Sequence, residues 1–253
     1  MSGFLNNLYI GPKNERQQAV VDAFMHAWKA YKEYAWGQDE LHPISRKPGT
    51  WFNLGLTLVD ALDTMYIMGL TKEFKEARNW VANSMVIQQA KDVNLFETTI
   101  RVLGGLLSTY HLSGDDDFST KLDVHRISKI ELGDALLPAF IQIPRYLRRL
   151  NLKTGKAQPP KWGPDSSVSE VTTIQLEFRD LTFTTGNPKY KDAVDRVSTH
   201  LHELQKEDGL VPTFINAKTG EFRGKYYTLG ARADSYYEYL LKQWLQTDKS
   251  ENV

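Results

Sequence analysis

Apolar residues recur at steps of three and four over much of the chain, which is the spacing of one face of an α-helix. This periodicity predicts helices over residues 17–36, 54–70, 72–90, 95–112, 167–186, 187–205 and 229–246. The segments 54–70 and 95–112 are apolar almost all the way round, so we expect buried helices there. Segments such as 187–205 have one polar face, as half-exposed helices do.

Two short phrases recur at the start of amphipathic segments. "GLTKEFKEARNWV" (69–81) and "TGNPKYKDAVDRV" (185–197) both place a glycine, then an aromatic residue and then an alanine before a helix. "SGDDDFSTK" (113–121) resembles a degenerate third copy. An apolar helix followed by an amphipathic one, repeated, is typical of stacked helical hairpins, as in an α/α barrel or a solenoid.

One segment has the pattern of a β-hairpin. Residues 209–229 contain two strand-like runs around "AKTGE", in which Gly220 can supply a positive φ for the turn. Residues 141–166 contain four prolines and are predicted to form a loop.

Composition narrows the classes of function. The chain has 253 residues, is 41% hydrophobic and has a formal net charge of zero, which argues against nucleic acid or an anionic membrane as the main partner. It has no cysteine, so disulfides, zinc–thiolate sites and a cysteine nucleophile are excluded. No apolar run has the length of a membrane span, and the first residues lack the layout of a signal peptide.

Charged residues interrupt three of the predicted helices where the pattern calls for apolar ones. They are Glu97 and Arg101, then Glu170 and Glu177, and finally Arg232, Asp234 and Glu238. In an α/α barrel the inner helices point toward one central cavity, so three such helices would gather these acids around two arginines. Glycoside hydrolysis needs such a set, because one carboxylic acid protonates the leaving oxygen while a carboxylate activates water or attacks the sugar.

Ordinary structural roles explain the same residues. A glutamate and an arginine four residues apart, such as Glu97 and Arg101, usually form a helix salt bridge. Asp234 and Glu238 have the spacing of a solvated stripe, and Asp60 and Asp63 would cap or brace neighbouring helices. From the residues alone, the prediction reaches a helical barrel with an acidic centre and stops there.

Several long blocks resemble the class I α-1,2-mannosidases. They are "YAWGQDELHPIS" (34–45), "GLTLVDALDTMYIMGL", "VNLFETTIRVLGGLLSTYHLSGD", "SEVTTIQLEFRDL", "DGLVPTFIN" and "YTLGARADSYYEYLLKQW". The resemblance runs from about residue 13 to about residue 246. It implies an all-α (α/α)7 barrel, here cut to roughly its N-terminal half, and a calcium-dependent, inverting hydrolase of α-1,2-linked mannose on high-mannose N-glycans.

The resemblance also assigns roles to residues. Glu97 occupies the position of the acid catalyst, and Asp234 that of a second essential carboxylate. The positions that hold sugar and water in the family correspond to Arg101, Glu170, Arg232 and Glu238. No metal ligand is expected in this chain, because the residue that binds calcium directly in the family corresponds to nothing within it.

Departures from the family qualify these expectations. The family's catalytic domain is nearly twice as long, so we expect a partial barrel over 13–253 after an extension at 1–12. A partial barrel should have weak or absent activity. It should also associate with other molecules through its exposed barrel surface. Residues 119–150 depart from the family pattern. The family implies glycoproteins with high-mannose N-glycans as partners, the lumen of the endoplasmic reticulum or Golgi, and membrane attachment only through a segment outside this chain. The alternative is a non-catalytic glycan-binding or scaffold protein of the same fold.

Overall fold

The computed structural model describes residues 11–113, 124–140, 149–158 and 163–250. They group into two compact units, of which the first comprises Met1–Ile87 with Arg101–Lys129 and the second Gln88–Ile100 with Ile130–Val253. The prediction of one domain over 13–253 stays a prediction. The departing segment 119–150 is described only over 124–140 and from residue 149.

Helices dominate the described residues, as the periodicity predicts. Before residue 114 they are α1 (Glu15–Tyr34), α2 (Leu56–Asp60), α3 (Leu62–Ile67), α4 (Thr71–Ser84), α5 (Leu95–Glu97), a π-helical segment (Thr98–Leu103) and α6 (Gly104–Ser113). After it they are α7 (Val124–Leu136), a 3-10 turn (Leu137–Phe140), α8 (Val168–Thr172), α9 (Gln175–Thr185), α10 (Lys189–Glu203) and α11 (Asp234–Gln246).

The repeated phrases do open matching helices. Gly69 and Gly186 have φ of +71° and +70°, a conformation that glycine adopts without steric cost, and each lies just before an amphipathic helix, α4 or α10. The buried faces of α10 are apolar, with Val194 and Val197 shielded from solvent. The third phrase, at 113–121, lies almost wholly outside the described residues.

The predicted hairpin forms, with more β-structure around it than expected. Strands β7 (Pro212–Asn216) and β8 (Phe222–Tyr227) pair antiparallel across a turn in which Gly220 has φ of +74°. The other strands are β1 (Glu40–His42), β2 (Lys47–Gly49), β3 (Asp92–Asn94), β4 (Arg149–Asn151), β5 (Ala157–Gln158) and β6 (Asp165–Ser167). They form the sheets β1-β2, β3-β4-β5 and β6-β7-β8.

The prediction of a loop over 141–166 is therefore wrong in its described part, which contains β4, β5 and the start of β6. These strands have two or three residues, too few for alternation to be recognised, and cross-strand polar contacts stabilise them. Asp92 on β3 accepts hydrogen bonds from Arg149 Nη2 at 2.5 Å and from Asn151 Nδ2 at 3.1 Å, both on β4.

The predicted helix 167–186 is broken into α8 and α9. Thr172 and Thr173, at the break, donate their hydroxyls to the carbonyls of Val168 and Ser169 at 2.6 and 2.5 Å. Hydroxyls bonded back to the preceding turn weaken or bend a helix. The Gln175 side chain then accepts from the backbone amide of Ile174 at 2.9 Å, so the second helix starts afresh.

Candidate active site

Glu97 lies where an α-helical turn passes into a π-helical segment. Its backbone amide donates to Asn94 Oδ1 at 3.1 Å, so Asn94 caps the short helix α5. Residues Thr98–Leu103 then form the wider π turn. Such turns are rare and are found frequently at functional sites. The sequence pattern predicted a helix here without signalling this change of pitch.

Two candidate carboxylates of the second unit, Glu97 and Glu170, lie on helices that pack against each other. Helix α5, which ends at Glu97, packs against α8, which carries Glu170 in its first turn. Both glutamates are half-buried. Beside them, the backbone amide of Ser169 donates to the carbonyl of Arg232 at 2.9 Å. Helix α11, which follows Arg232, also packs against α8, so three segments that are distant in the chain meet at α8.

Arg232 and Asp234 occupy a strained corner at the start of α11. Arg232 has φ of +80°, which is unusual for a residue with a side chain, and its guanidinium lies 5.0 Å from the centre of the Phe214 ring. Asp234 is the first residue of the helix, and its Oδ1 accepts from the amide of Ser235 at 2.9 Å. Strained residues that the surroundings hold in place often occur at functional sites.

Two further predicted site residues, Glu238 and Arg101, form ion pairs of their own. Glu238 is exposed and its Oε2 lies 3.4 Å from Lys242 Nζ, an ordinary surface pair one turn along α11. Arg101 belongs to the first unit, where its Nη1 lies 3.5 Å from Asp60 Oδ2. Asp60 and Asp63 brace neighbouring helices as expected, Asp63 by accepting from Ser108 Oγ at 2.8 Å.

Glu177 is a buried acid whose partner the sequence did not reveal. Its Oε1 accepts a hydrogen bond from the hydroxyl of Tyr239 at 2.9 Å, and its Oε2 is shielded from solvent. Burial raises the pKa of Glu177 from 4.5 to about 7; the nearby Asp180 adds to the rise and Lys242 opposes it. The same burial and the neighbouring Glu177 raise the pKa of Tyr239.

Replacing Glu177 with glutamine is expected to change how stability depends on pH. The unfolded state loses the proton near pH 4.5, whereas the folded state keeps it until about pH 7, so the wild-type protein loses stability as pH rises between these values. The shift corresponds to up to about 3 kcal/mol above pH 7. Glu177→Gln should match the wild type near pH 4 and exceed its free energy of unfolding at pH 8, as measured by denaturant titration. Parallel pH profiles for Glu177→Gln and wild type would refute this, and Glu203→Gln on the exposed side of α10 is the control.

The described residues do not provide a typical site for calcium. Across the described ranges, no three histidine, aspartate or glutamate side chains come together as metal ligands do.

Comparison with known proteins identifies the family. The profile described as glycosyl hydrolase family 47 matches residues 23–253. The chain belongs to glycosyl hydrolase family 47. It is 56% identical over 245 residues to the endoplasmic reticulum mannosyl-oligosaccharide 1,2-alpha-mannosidase of Mus musculus, covering 95% of this chain and 36% of that relative. It is 45% identical over 246 residues to mannosyl-oligosaccharide 1,2-alpha-mannosidase MNS1 of Arabidopsis thaliana, covering 94% of this chain and 42% of that protein.

A solved structure of the family confirms the predicted fold. The structure of the chain matches alpha-1,2-mannosidase from Trichoderma reesei with a TM-score of 0.81 and 27% sequence identity, over 93% of this chain and 51% of that one. The chain therefore has the family's α/α-barrel fold over about half of the length of that enzyme. Among the helices that the structure describes, none combines the length and the hydropathy needed to cross a bilayer.

Proposed function

We propose that the protein is an inverting α-1,2-mannosidase that removes terminal α-1,2-linked mannose from high-mannose N-glycans. The chain spans little more than a third of the mouse mannosidase that it resembles, so this activity is inferred from the family and from the site. The observation that carries the proposal is that α5, which ends at Glu97, and α11, which begins at Asp234, both pack against α8, which carries Glu170. A structural scaffold has no need of this set of charges in one place.

In this proposal Glu97 is the acid that protonates the glycosidic oxygen as the bond to the leaving sugar breaks. As water attacks the anomeric carbon from the opposite side, its proton goes to Asp234, or to another carboxylate that Asp234 assists. An inverting enzyme holds its acid and base about 6.5–9.5 Å apart so that this water fits between the sugar and the base. Glu170 and Arg232 would hold sugar hydroxyls, with Arg101 and Glu238 as further contacts.

The substrate and the cellular compartment are inferred from the names of the relatives. The relatives' names specify mannosyl-oligosaccharides, and the mouse relative's name places it in the endoplasmic reticulum. We infer that glycoproteins with high-mannose N-glycans are the partners, and that the lumen of the secretory pathway is the compartment. Calcium is a family expectation that the described residues do not support with a carboxylate cluster, so no step of this mechanism passes through it.

Mannose release tests the proposal. The purified chain is incubated with a high-mannose glycan that ends in α-1,2-linked mannose and, as the matched control, with the same glycan trimmed of those residues. Because the chain spans only part of the family's catalytic domain, we expect weak release from the first glycan and none from the second, with the freed mannose appearing as the β-anomer in NMR spectra. Retention of the α-anomer would overturn the inverting mechanism.

The same assay separates the rival function. Glycan binding without release, measured by calorimetry, would favour a non-catalytic glycan-binding protein. The exposed Glu238–Lys242 pair is compatible with that role, because it is an ordinary surface contact. Neither binding nor release by the folded chain would leave only a scaffold role and would overturn the proposal.

A further inference from the structure

A series of hydrogen bonds joins the α8–α9 segment to α11. In order along both segments, the pairs are Ser169–Arg232 at 2.9 Å, Thr173–Ser235 at 3.2 Å and Glu177–Tyr239 at 2.9 Å. On the first segment these residues are four apart, with Ser169 on α8, Thr173 at the break and Glu177 on α9. We call these three pairs the ladder. A further contact, from Gln246 Nε2 to the carbonyl of Leu176 at 3.0 Å, joins the last turn of α11 to the residue before Glu177.

The ladder runs in the same direction along both segments, so it aligns their first turns. Glu170 follows Ser169 directly, and Asp234 lies two residues after Arg232. The first pair of the ladder is thus at the candidate active site, while the last is eight residues further along the first segment. If α11 slid along its neighbour by one turn, Asp234 would move by about 5.4 Å relative to Glu170.

The last pair differs from the other two in chemistry. Thr173 and Ser235 have small hydroxyls that can donate or accept, so either finds new partners after a small shift. Glu177 has one shielded carboxyl oxygen, and its other oxygen depends on the Tyr239 hydroxyl. A different register would leave this carboxyl buried without its donor, which is far more costly than losing an exposed contact.

We propose that Glu177 is a positioning residue that, through Tyr239, fixes the register of α11 and so the place of Asp234 relative to Glu170. This inference rests on the proposed function for its catalytic meaning. Burial raises the pKa of Glu177, which fits a carboxyl kept in place by the surrounding packing and one donor. Errors of about 1 Å in a catalytic geometry reduce rates by about 100-fold, so fixing the register matters for the reaction.

Hydrogen exchange at the Ser169 amide tests the proposal without relying on activity. That amide donates to Arg232 at the opposite end of the ladder from Glu177. Glu177→Ala and Tyr239→Phe should each speed its exchange by about tenfold, and the double variant should add little, because both remove the same contact. Glu177→Gln keeps an acceptor for Tyr239 and should restore slow exchange.

A matched control separates positioning from general loss of stability. Val194 is buried on α10 and is not part of the ladder, so Val194→Ala should destabilise the same unit without changing the register. Exchange at Ser169 is compared with exchange at the Asp192 amide, which donates to the carbonyl of Pro188. Glu177→Ala should speed Ser169 selectively, whereas Val194→Ala should speed both. Equal effects of the two variants, or no rescue by Glu177→Gln, would overturn the proposal.

Mannose release by the same variants adds the catalytic readout. Glu177→Ala should lower kcat by about 100-fold with little change in KM, because the groups are misplaced while the sugar still binds. Glu177→Gln should keep the wild-type kcat. If the wild type releases no mannose but the exchange pattern holds, the proposed function fails while the register role of Glu177 stands. Normal kcat in Glu177→Ala would overturn the positioning role in catalysis.

Discussion

Replacing Asp39 with alanine is expected to lower the free energy of unfolding of the first unit by about 4 kcal/mol, enough to unfold many proteins of this size. Asp39 is completely buried. Its Oδ2 accepts from the backbone amides of Trp51, Phe52 and Asn53 at 2.8, 2.7 and 2.5 Å, and its Oδ1 from those of Leu54 and Leu56 at 3.0 and 3.1 Å.

The loss is large because one carboxylate accepts from five backbone amides of the same segment. The segment 51–56 is irregular, with positive φ at Asn53 and Gly55, so its amides are not satisfied by a helix or a strand. Removing the carboxylate would strand several donors in a dry environment, and each stranded donor costs about 1–3 kcal/mol. Partial rearrangement and water entry recover some of this cost, which brings the expected total to about 4 kcal/mol.

Denaturant titration of three variants measures this effect. Asp39→Asn keeps one acceptor oxygen and should fall between wild type and Asp39→Ala. Asp22→Ala is the matched control, because Asp22 is exposed on α1 and only receives a hydrogen bond from Gln18. A loss below about 1 kcal/mol in Asp39→Ala would show that other groups satisfy the loop.

Asp39 illustrates what the sequence could and could not predict. The block "YAWGQDELHPIS" was recognised as a family motif, yet nothing local shows that this aspartate binds amides 12 to 17 residues further along. Helices such as α1 and α10 were predicted because their apolar stripes extend over several turns. Strand β4 was missed because it pairs with β3, far away in the chain, and β5 because two residues are too few to show alternation.

The candidate site likewise has features that the sequence predicted and features that it did not. Glu97, Glu170 and Asp234 were selected as charges within apolar patterns and as family positions, and α8 brings their segments together. The break at Thr173, the positive φ of Arg232 and the Glu177–Tyr239 contact were not predicted. Each depends on tertiary contacts that overrule local helix propensity, and a single sequence has no periodic signal for them.

Replacing Glu97 with glutamine is expected to reduce mannose release from an α-1,2-linked glycan by about 100-fold or more, which is the range for a lost general acid. Glutamine has the same shape and can keep hydrogen bonds to sugar, so glycan binding should remain close to that of the wild type. Rates are measured under single-turnover conditions, and affinity by calorimetry. Glu131→Gln, an exposed glutamate on α7, is the control and should keep full activity.

Substrates with different leaving groups test whether Glu97 is the acid. In a natural glycan the leaving group is a sugar oxygen, which must be protonated as the bond breaks. In an aryl α-mannoside with an acidic phenol the leaving group is a phenolate, which departs without a proton. Glu97→Gln should therefore be severely impaired on the glycan and nearly normal on the activated aryl mannoside. Asp234→Asn should be impaired on both, because the attack of water is needed whichever group departs. Equal impairment of Glu97→Gln on both substrates would assign Glu97 to binding or water activation, and the acid would have to be sought among the other carboxylates around α8.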